Sequence, residues 1–219
     1  FQVAAPFGAH IGGVPPVFFA TRAASEFDSW LPVGVDDGSA ATEISSIGID
    51  FSAWTVDSGL EVSDGAVFWL LPDDGPSGTV TVAQLTVAEG SSGSVTMGAQ
   101  GRAVEGEDWQ STHTWSYDGT SGPPPPPPLD FTSGDAEEIV VSMGATAAGY
   151  STYRLQLQLT GSEANIYSIY GSLTTGTLSL PAAFQVAAPF GADIGGVPPA
   201  FFAAVPDAEF DSWLTIGVT

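Results

Sequence analysis

The sequence predicts an all-β protein made of antiparallel β-sandwich domains, immunoglobulin-like or jelly-roll-like, in a tandem array joined by a polyproline II spacer. Three observations predict this architecture. Apolar and polar residues alternate along much of the chain, one stretch of 36 residues occurs twice, and six prolines follow one another without interruption.

Alternation of apolar and polar residues predicts the individual strands. In residues 109–117, two tryptophans, a serine, a histidine and a tyrosine fall on one face, and polar residues fall on the other. In residues 79–88 the apolar residues change parity, which predicts a β-bulge near Ala83 and Gln84. The one helical feature expected is a turn within residues 18–27. Further strands are predicted at residues 46–51, 66–71, 94–99, 139–143, 151–160, 165–170 and 177–180.

A repeat is the strongest signal in the sequence. Residues 1–36 and 184–219 align without gaps at an offset of 183; ten of the 36 positions differ, which leaves 26 identical. The chain is interpreted either as a window on a longer array or as a subunit whose terminal partial copies join its neighbours. The sequence opens at Phe1 without an initiator methionine or a signal peptide, so we expect a segment of a mature or larger polypeptide.

The proline run at residues 123–128 predicts a stiff spacer. Six prolines in polyproline II extend about 19 Å, at about 3.1 Å per residue, and they cannot join a sheet interior because they lack N–H donors. We therefore expect a domain boundary there, between β-rich segments at residues 1–122 and 129–219. Each segment is expected to lack strands that a neighbouring copy supplies, so that copies complete one another head to tail and form a filament.

The negative charge of the chain limits the classes of partner that it is expected to bind. Twenty-five acidic residues stand against three arginines, and the net charge is −22. Such a chain repels phosphate backbones and anionic membrane surfaces, so no nucleic-acid or membrane partner is expected. One interpretation is that the acidic residues keep the chain soluble in a saline medium. The other is that divalent cations bridge these residues when copies assemble. Cysteine is absent, which excludes disulfides and thiolate metal sites.

Catalytic signals are weak, and we expect no enzyme. The sequence has two histidines, and one of them, His10, is replaced by Asp193 in the second copy. His113 lies among aromatic residues on a predicted strand, where a structural histidine is expected. Neither a G-x-S-x-G nor an H-E-x-x-H motif occurs.

Calcium is the candidate ion, although no cofactor is expected to be required. Loop carboxylates supply the hard oxygen ligands that calcium prefers. None of them fits the D-x-[DN]-x-[DN]-G pattern, and solvated turn carboxylates are the alternative. The candidate ligands are Asp36, Asp37, Asp64, Asp73 and Asp74.

Glycosylation is expected on proline and not on asparagine. Asn165 is the single asparagine, and Ile-Tyr follows it, so no N-glycosylation sequon exists. Exposed prolines that are hydroxylated would carry covalent O-glycans, and an unmodified spacer is the alternative. The candidates are Pro123, Pro124, Pro125, Pro126, Pro127 and Pro128, with the pairs Pro15-Pro16 and Pro198-Pro199.

Aromatic residues form two further groups of candidates. The tryptophans are expected mostly in the core, and a sugar-stacking platform is the alternative. The aromatic residues of the repeated segment are the assembly candidates. They are Phe1, Phe7, Phe18, Phe184, Phe190, Phe201 and Trp213.

Several strings of the sequence carry a resemblance: FQVAAPFGA, GGVPP, EFDSWL, IGIDFSAW, GAVFWLLPDDGPSG and TVTVAQLTV. They resemble acidic, cysteine-free repeat proteins of algae and other aquatic microbes. With the proline run, the chain resembles subunits of glycan-coated fibrils (glycofibrils) from natural water and, more loosely, hydroxyproline-rich glycoproteins of algal surfaces. The resemblance implies a linear fibre of β-sandwich domains with strand exchange between copies and sugars on hydroxyproline at residues 123–128. The mixed serine and proline of plant-type extensins is missing here.

These observations predict a structural subunit of an extracellular or cell-surface glycosylated fibril, with other copies of the chain and glycans as its partners. The alternative is a secreted carbohydrate-binding module or a calcium-dependent adhesin. Electron microscopy discriminates between them, because the first forms filaments and the second forms discrete particles.

Overall fold

The computed structural model describes residues 43–118, 136–143 and 148–217. These residues form an all-β fold of eleven strands with short 3-10 turns between them. The strands are β1 (Ile44–Ile47), β2 (Leu60–Val62), β3 (Asp64–Trp69), β4 (Thr79–Ala88), β5 (Gly93–Gly101), β6 (Trp109–Tyr117), β7 (Glu137–Ser142), β8 (Tyr150–Gln158), β9 (Ser168–Ser172), β10 (Leu178–Leu180) and β11 (Trp213–Leu214).

The strands form two antiparallel sheets, which confirms the predicted fold class at the level of an all-β, sandwich-like architecture. One sheet has the order β1-β3-β9-β5-β10-β2, with β6 also paired to β5, and the other has the order β11-β4-β8-β7. Buried apolar side chains of both sheets belong to one core cluster. Trp115 on β6 ties the sheets together, because its indole N–H donates to the carbonyl of Gln156 on β8 at 2.8 Å.

The alternation predicted for β6 is confirmed. His113, Trp115 and Tyr117 are buried, and the residues between them are exposed. The parity change in β4 is also confirmed, since the register against β8 shifts between Thr81 and Ala83. Such a bulge lets apolar residues on either side of it reach the core.

Some strand boundaries differ from the prediction. The strand predicted at residues 46–51 ends at Ile47 because Gly48 has a φ of 71°, a left-handed conformation that favours glycine. A 3-10 turn at Phe51–Ala53 follows, and the side chain of Asp50 caps it. The helical turn predicted within residues 18–27 lies outside the described residues.

Both sheets contain strands from each side of the proline run. β4 pairs with β8 and β3 pairs with β9, so the parts of residues 1–122 and 129–219 that the structure describes build one sandwich together. For these strands, a partner encoded far along the same chain supplies the pairing, and the completion of one copy by another stays a prediction. The proline run itself, residues 123–128, lies outside the described residues.

In the described ranges, no helix is both long enough and apolar enough to cross a membrane.

Candidate assembly site

The outer edge of β4, opposite its junction with β8, is covered by residues 184–217, here called the closing segment. Strand β11 belongs to this segment and runs antiparallel to β4, with Trp213 opposite Gln84 and Leu214 opposite Ala83. The closing segment is the described part of the second repeat copy. The repeated sequence thus forms an edge strand of the sandwich.

Backbone hydrogen bonds extend this junction beyond β11. β4 is buried from Val80 to Val87, and a buried carbonyl without a partner is costly. The closing segment satisfies three such carbonyls: Thr215 N–H donates to Val82 at 2.8 Å, Gly217 N–H donates to Thr81 at 2.8 Å, and Phe184 N–H donates to Thr86 at 2.7 Å.

Polar side chains on β4 also depend on the closing segment. The buried amide of Gln84 donates to the carbonyl of Glu209 at 2.9 Å and to that of Asp211 at 2.8 Å. The backbone N–H of Thr86 donates to Ser212 Oγ at 2.9 Å. Without the closing segment, these groups would lose their hydrogen-bond partners. The segment therefore satisfies polar side chains and backbone groups of β4 in addition to extending its strand pairing.

The apolar side chains of the closing segment enter the core. Leu214 and Ile216 are fully buried members of the core cluster, and Trp213 is 3% exposed. Full burial of one such aliphatic side chain stabilises a fold by about 1.5–3 kcal/mol. Gly196 has a φ of 85°, and a Cβ there would lie 3.3 Å from the Trp213 ring. Glycine therefore gives Trp213 the room it needs.

A buried carboxylate fixes the fold of the closing segment. Asp211 accepts the backbone N–H groups of Val186 and Ala192, each at 2.7 Å. Burial raises the pKa of Asp211 to about 7, although these backbone N–H groups lower it; the nearby charge of Asp193 raises it further. The carboxyl group of Asp211 thus closes the loop of residues 186–192 onto the segment's own strand.

Four of the predicted assembly residues lie in the closing segment. Phe184 packs its ring against Tyr150 on β8, with centroids 5.1 Å apart. Phe190 and Phe201 meet edge to face at 5.7 Å, and Trp213 lies in β11. Of these, Phe184 and Trp213 make contacts with the body of the sandwich, and the other two contact each other. Phe1, Phe7 and Phe18 lie outside the described residues.

The candidate glycosylation sites are described only in part. Pro198 is half-buried and precedes a 3-10 turn at Pro199–Phe201, in which Pro199 is exposed. Proline fits this first turn because its φ is already close to the helical value. Pro15, Pro16 and the six prolines at 123–128 lie outside the described residues.

The metal candidates do not come together. Asp64 begins β3 and is exposed, whereas Asp73 and Asp74 lie in a 3-10 turn at Pro72–Asp74. Asp73 accepts a hydrogen bond from Arg102 Nε at 2.7 Å. Within the described ranges, no group of three or more His, Asp or Glu side chains is arranged to hold a metal ion. Asp36 and Asp37 lie outside those ranges.

The described tryptophans belong to the interior. Trp54, Trp69, Trp115 and Trp213 are buried, and Trp109 is half-buried with its indole N–H donating to the carbonyl of Asn165 at 2.8 Å. This placement does not favour a sugar-stacking platform among the residues that the structure describes, because stacking needs an exposed ring face.

Two polar clusters were not predicted from the sequence, because each of them includes a contact between residues that are distant along the chain. Arg102 contacts Asp73 and Asp108 through its guanidinium group. Hydrogen bonds between Asp108 and Arg102 lower the pKa of this carboxyl group. The cluster is exposed, and it pins the loop between β5 and β6.

The second cluster is a chain of three side chains between the sheets. Ser111 Oγ lies 2.6 Å from His113 Nε2, and His113 Nδ1 lies 2.8 Å from Glu138 Oε1. Burial alone would raise the pKa of Glu138, but the hydrogen bond with His113 keeps that pKa below its ordinary value. A serine, a histidine and an acid occur in this order in hydrolases, where the serine sits at a sharp turn or beside an oxyanion site. Ser111 instead lies within the regular ladder of β6, so the cluster is interpreted as a clamp between β6 and β7.

The contacting residues of the closing segment recur almost unchanged in the first repeat copy. Phe184, Asp211, Ser212, Trp213 and Leu214 correspond to Phe1, Asp28, Ser29, Trp30 and Leu31. Differences at buried positions are confined to three: Ala208, Thr215 and Ile216 correspond to Ser25, Pro32 and Val33.

We found no family model that matches this chain, and no curated protein or solved structure that is similar to it.

Proposed function

We propose that this chain is a structural subunit of an extracellular, O-glycosylated fibril in which adjacent copies complete one another's β-sandwich head to tail. Its role is mechanical and not catalytic, and its partners are other copies of itself and the glycans on its prolines. The observation that carries the proposal is that a segment occurring twice in the sequence forms the edge strand that covers β4.

The chemistry of this edge supports assembly. A strand whose outer edge is bare pairs readily with a strand from another chain, and completion of a sheet by a donated strand is a known mode of association. β4 is suited to this mode because its residues are buried on both faces. A donor from a neighbouring copy carries the same phenylalanine, aspartate, serine, tryptophan and leucine residues with which the closing segment contacts the sandwich. Because donor and acceptor are different surfaces, such contacts do not close on themselves and they propagate.

The composition supports the extracellular setting and the sugar coat. A net charge of −22 on 219 residues keeps polymers apart from one another unless specific contacts join them. In the sequence, the prolines at residues 123–128 fall between β6 and β7, and the glycans are proposed to be attached there.

Electron microscopy of the purified full-length chain over a range of concentrations tests the proposal. Filaments are expected to appear as the concentration rises. A synthetic peptide of residues 184–217, added in excess, should shorten the filaments because it occupies the outer edge of β4 at their ends. The matched control is the same peptide with Leu214→Asp, which should leave filament length unchanged because a carboxylate would be buried in the core.

A chain that remains monomeric at every concentration, with sedimentation unaffected by either peptide, would contradict the proposal. The glycan part is tested separately by mass spectrometry of the peptide that spans residues 123–128 in material from the natural source. We expect the mass of this peptide to show hydroxylated prolines with attached pentoses or hexoses. A mass that corresponds to unmodified prolines would contradict the proposed glycosylation.

A further inference from the structure

We propose that residues 1–34 of a second copy bind the outer edge of β4 in the register of the closing segment. Position 32, equivalent to position 215, makes residues 1–34 bind this edge more weakly than the closing segment does. The inference deepens the proposed function and rests on it: it names the segment that one copy donates and the residue that sets the strength of the contact.

The register follows from identity at the contacting positions. Trp213 and Leu214 pair with Gln84 and Ala83, and the first copy has the same Trp-Leu pair at residues 30 and 31. A slip of one residue would turn the tryptophan and leucine side chains to opposite faces. The two side chains therefore fix one register for both copies.

The features that shape the closing segment are also present in the first copy. The carboxyl group of Asp211 accepts two backbone N–H groups from the loop of residues 186–192, and the equivalent Asp28 is followed by the same Ser-Trp-Leu. Gly196, which lies against the Trp213 ring, has its equivalent in Gly13. Residues 1–34 therefore contain the groups needed to adopt the same bound conformation.

Position 215 separates the two occupants. The backbone N–H of Thr215 donates to the carbonyl of Val82 at 2.8 Å, and Val82 is fully buried. The first copy has Pro32 at this position, and proline has no N–H. With residues 1–34 in place, the Val82 carbonyl would lose its hydrogen bond within the sheet. The loss of a partner at a buried group weakens binding by about 5- to 150-fold.

Position 216 acts in the same direction. Ile216 is fully buried in the core cluster, and the first copy has the smaller Val33. Loss of one buried methylene weakens binding by about 2- to 13-fold. The hydroxyl of Thr215 opposes this trend, because it is buried without a hydrogen-bond partner among the described residues and Pro32 has no hydroxyl.

The test uses a full-length chain with Thr215→Pro, which weakens its own closing segment, and fluorescent peptides of residues 1–34. Fluorescence anisotropy is measured after the mixture is warmed, to allow exchange, and cooled. The native peptide is expected to bind. A Pro32→Val peptide, which regains the N–H without adding a hydroxyl, should bind about 5- to 150-fold more tightly. A Leu31→Asp peptide should not bind.

Three results would overturn the inference: no binding of any peptide, equal binding of the Leu31→Asp peptide, or no gain from Pro32→Val. Each can be distinguished from failure of the proposed function. If the full-length chain forms filaments but peptides of residues 1–34 do not bind, the proposed fibril stands and residues 1–34 are rejected as its donated segment. If the peptides bind to a chain that never forms filaments, residues 1–34 stand as a binding segment and the proposed fibril is rejected.

Discussion

Strand β4 is joined to β8 along one edge and to the closing segment along the other, and the two junctions are built differently. Nine residue pairs connect β4 with β8, interrupted only by the bulge between Thr81 and Ala83. Two pairs connect β4 with β11, and the rest of the outer junction consists of single hydrogen bonds and buried side chains. A long ladder separates only when the sheet unfolds. A junction of few pairs can open locally, as weakly protected elements of proteins do.

The largest expected effect comes from the aromatic anchor of the outer junction. Trp213→Ala removes a buried side chain and leaves a cavity, which should lower the free energy of unfolding by about 3–5 kcal/mol. Denaturant unfolding measures the change. Trp30→Ala is the matched control, because Trp30 is the equivalent residue of the first copy; it should leave the stability of the monomer nearly unchanged. Equal losses in the two variants would show that both copies take part in the monomer.

Leu155→Ala on β8 provides the comparison from the inner junction. Leu155 is fully buried, so the substitution should cost about 2–5 kcal/mol. Native-state hydrogen exchange separates the two junctions. Trp213→Ala should raise exchange selectively at the amides of Thr86, Thr215 and Gly217, which bond across the outer junction. Leu155→Ala should raise exchange throughout the four-stranded sheet. Uniform exchange in both variants would mean that the closing segment is not a separate unit.

The pH dependence of stability should identify Asp211. Its pKa is raised from 3.8 to about 7 by burial. The carboxyl group therefore binds a proton more strongly in the folded state than in the unfolded chain. The stability that this group contributes is fully present below about pH 3.8 and is lost as the pH rises through about 7. Urea unfolding between pH 4.5 and 8 should therefore show a decline in stability. Asp211→Asn should remove that part of the pH dependence, and an unchanged pH profile would contradict the assignment.

A smaller effect is expected from the polar partner on β4. Gln84→Ala leaves the carbonyls of Glu209 and Asp211 without their donor, which should cost about 1–3 kcal/mol. Gln110→Ala is the control, because Gln110 is exposed and the hydrogen bond that its side chain donates to Gln100 is long at 3.4 Å. Denaturant midpoints of the two variants measure the difference. Equal midpoints would show that Gln84 does not hold the segment.

The smallest effect is expected away from both junctions, at the exposed cluster of Arg102. Asp108→Asn removes the negative charge of the carboxylate whose two oxygens accept from Arg102 Nη1, and solvent-exposed ion pairs contribute little to stability. The change in unfolding midpoint should be less than that of Gln84→Ala and should vanish in 1 M salt. A larger change that persists in salt would mean that this loop supports the core.

The sequence contained enough local information to predict most strands. Alternation in β6 and the parity change in β4 are properties of neighbouring residues, and both strands lie where they were predicted. β2 was missed because three residues are too short for a periodic pattern. The strand predicted at residues 46–51 was too long because Gly48 turns the chain.

The candidate site was predictable only in part. The repeat singled out the segment that covers β4, including Trp213, since identity between copies can be read directly. The position of the segment on β4 depends on contacts across more than 100 residues, such as that of Gln84 with Asp211, and no local pattern encodes them. Asp211 itself lies in an acidic string that suggests exposure, and only the fold shows that its carboxyl group is buried. The pairing of β3 with β9 and of β4 with β8 was not predicted for the same reason, because strand pairing across the proline run is a long-range property.

The His113–Glu138 contact has a consequence for how a fibril of this protein would bear tension. β6 and β7 lie in different sheets of one sandwich, and this contact holds them together on either side of the connection that contains the prolines. That connection therefore leaves and re-enters the same body. Between successive repeats, a pulling force would instead pass through the link into the closing segment, where Trp54 holds the carbonyl of Pro181 and Ala183 bonds to Thr55. Such a force would bypass the connection between β6 and β7, so substituents attached to its prolines, as proposed above, would not bear the load.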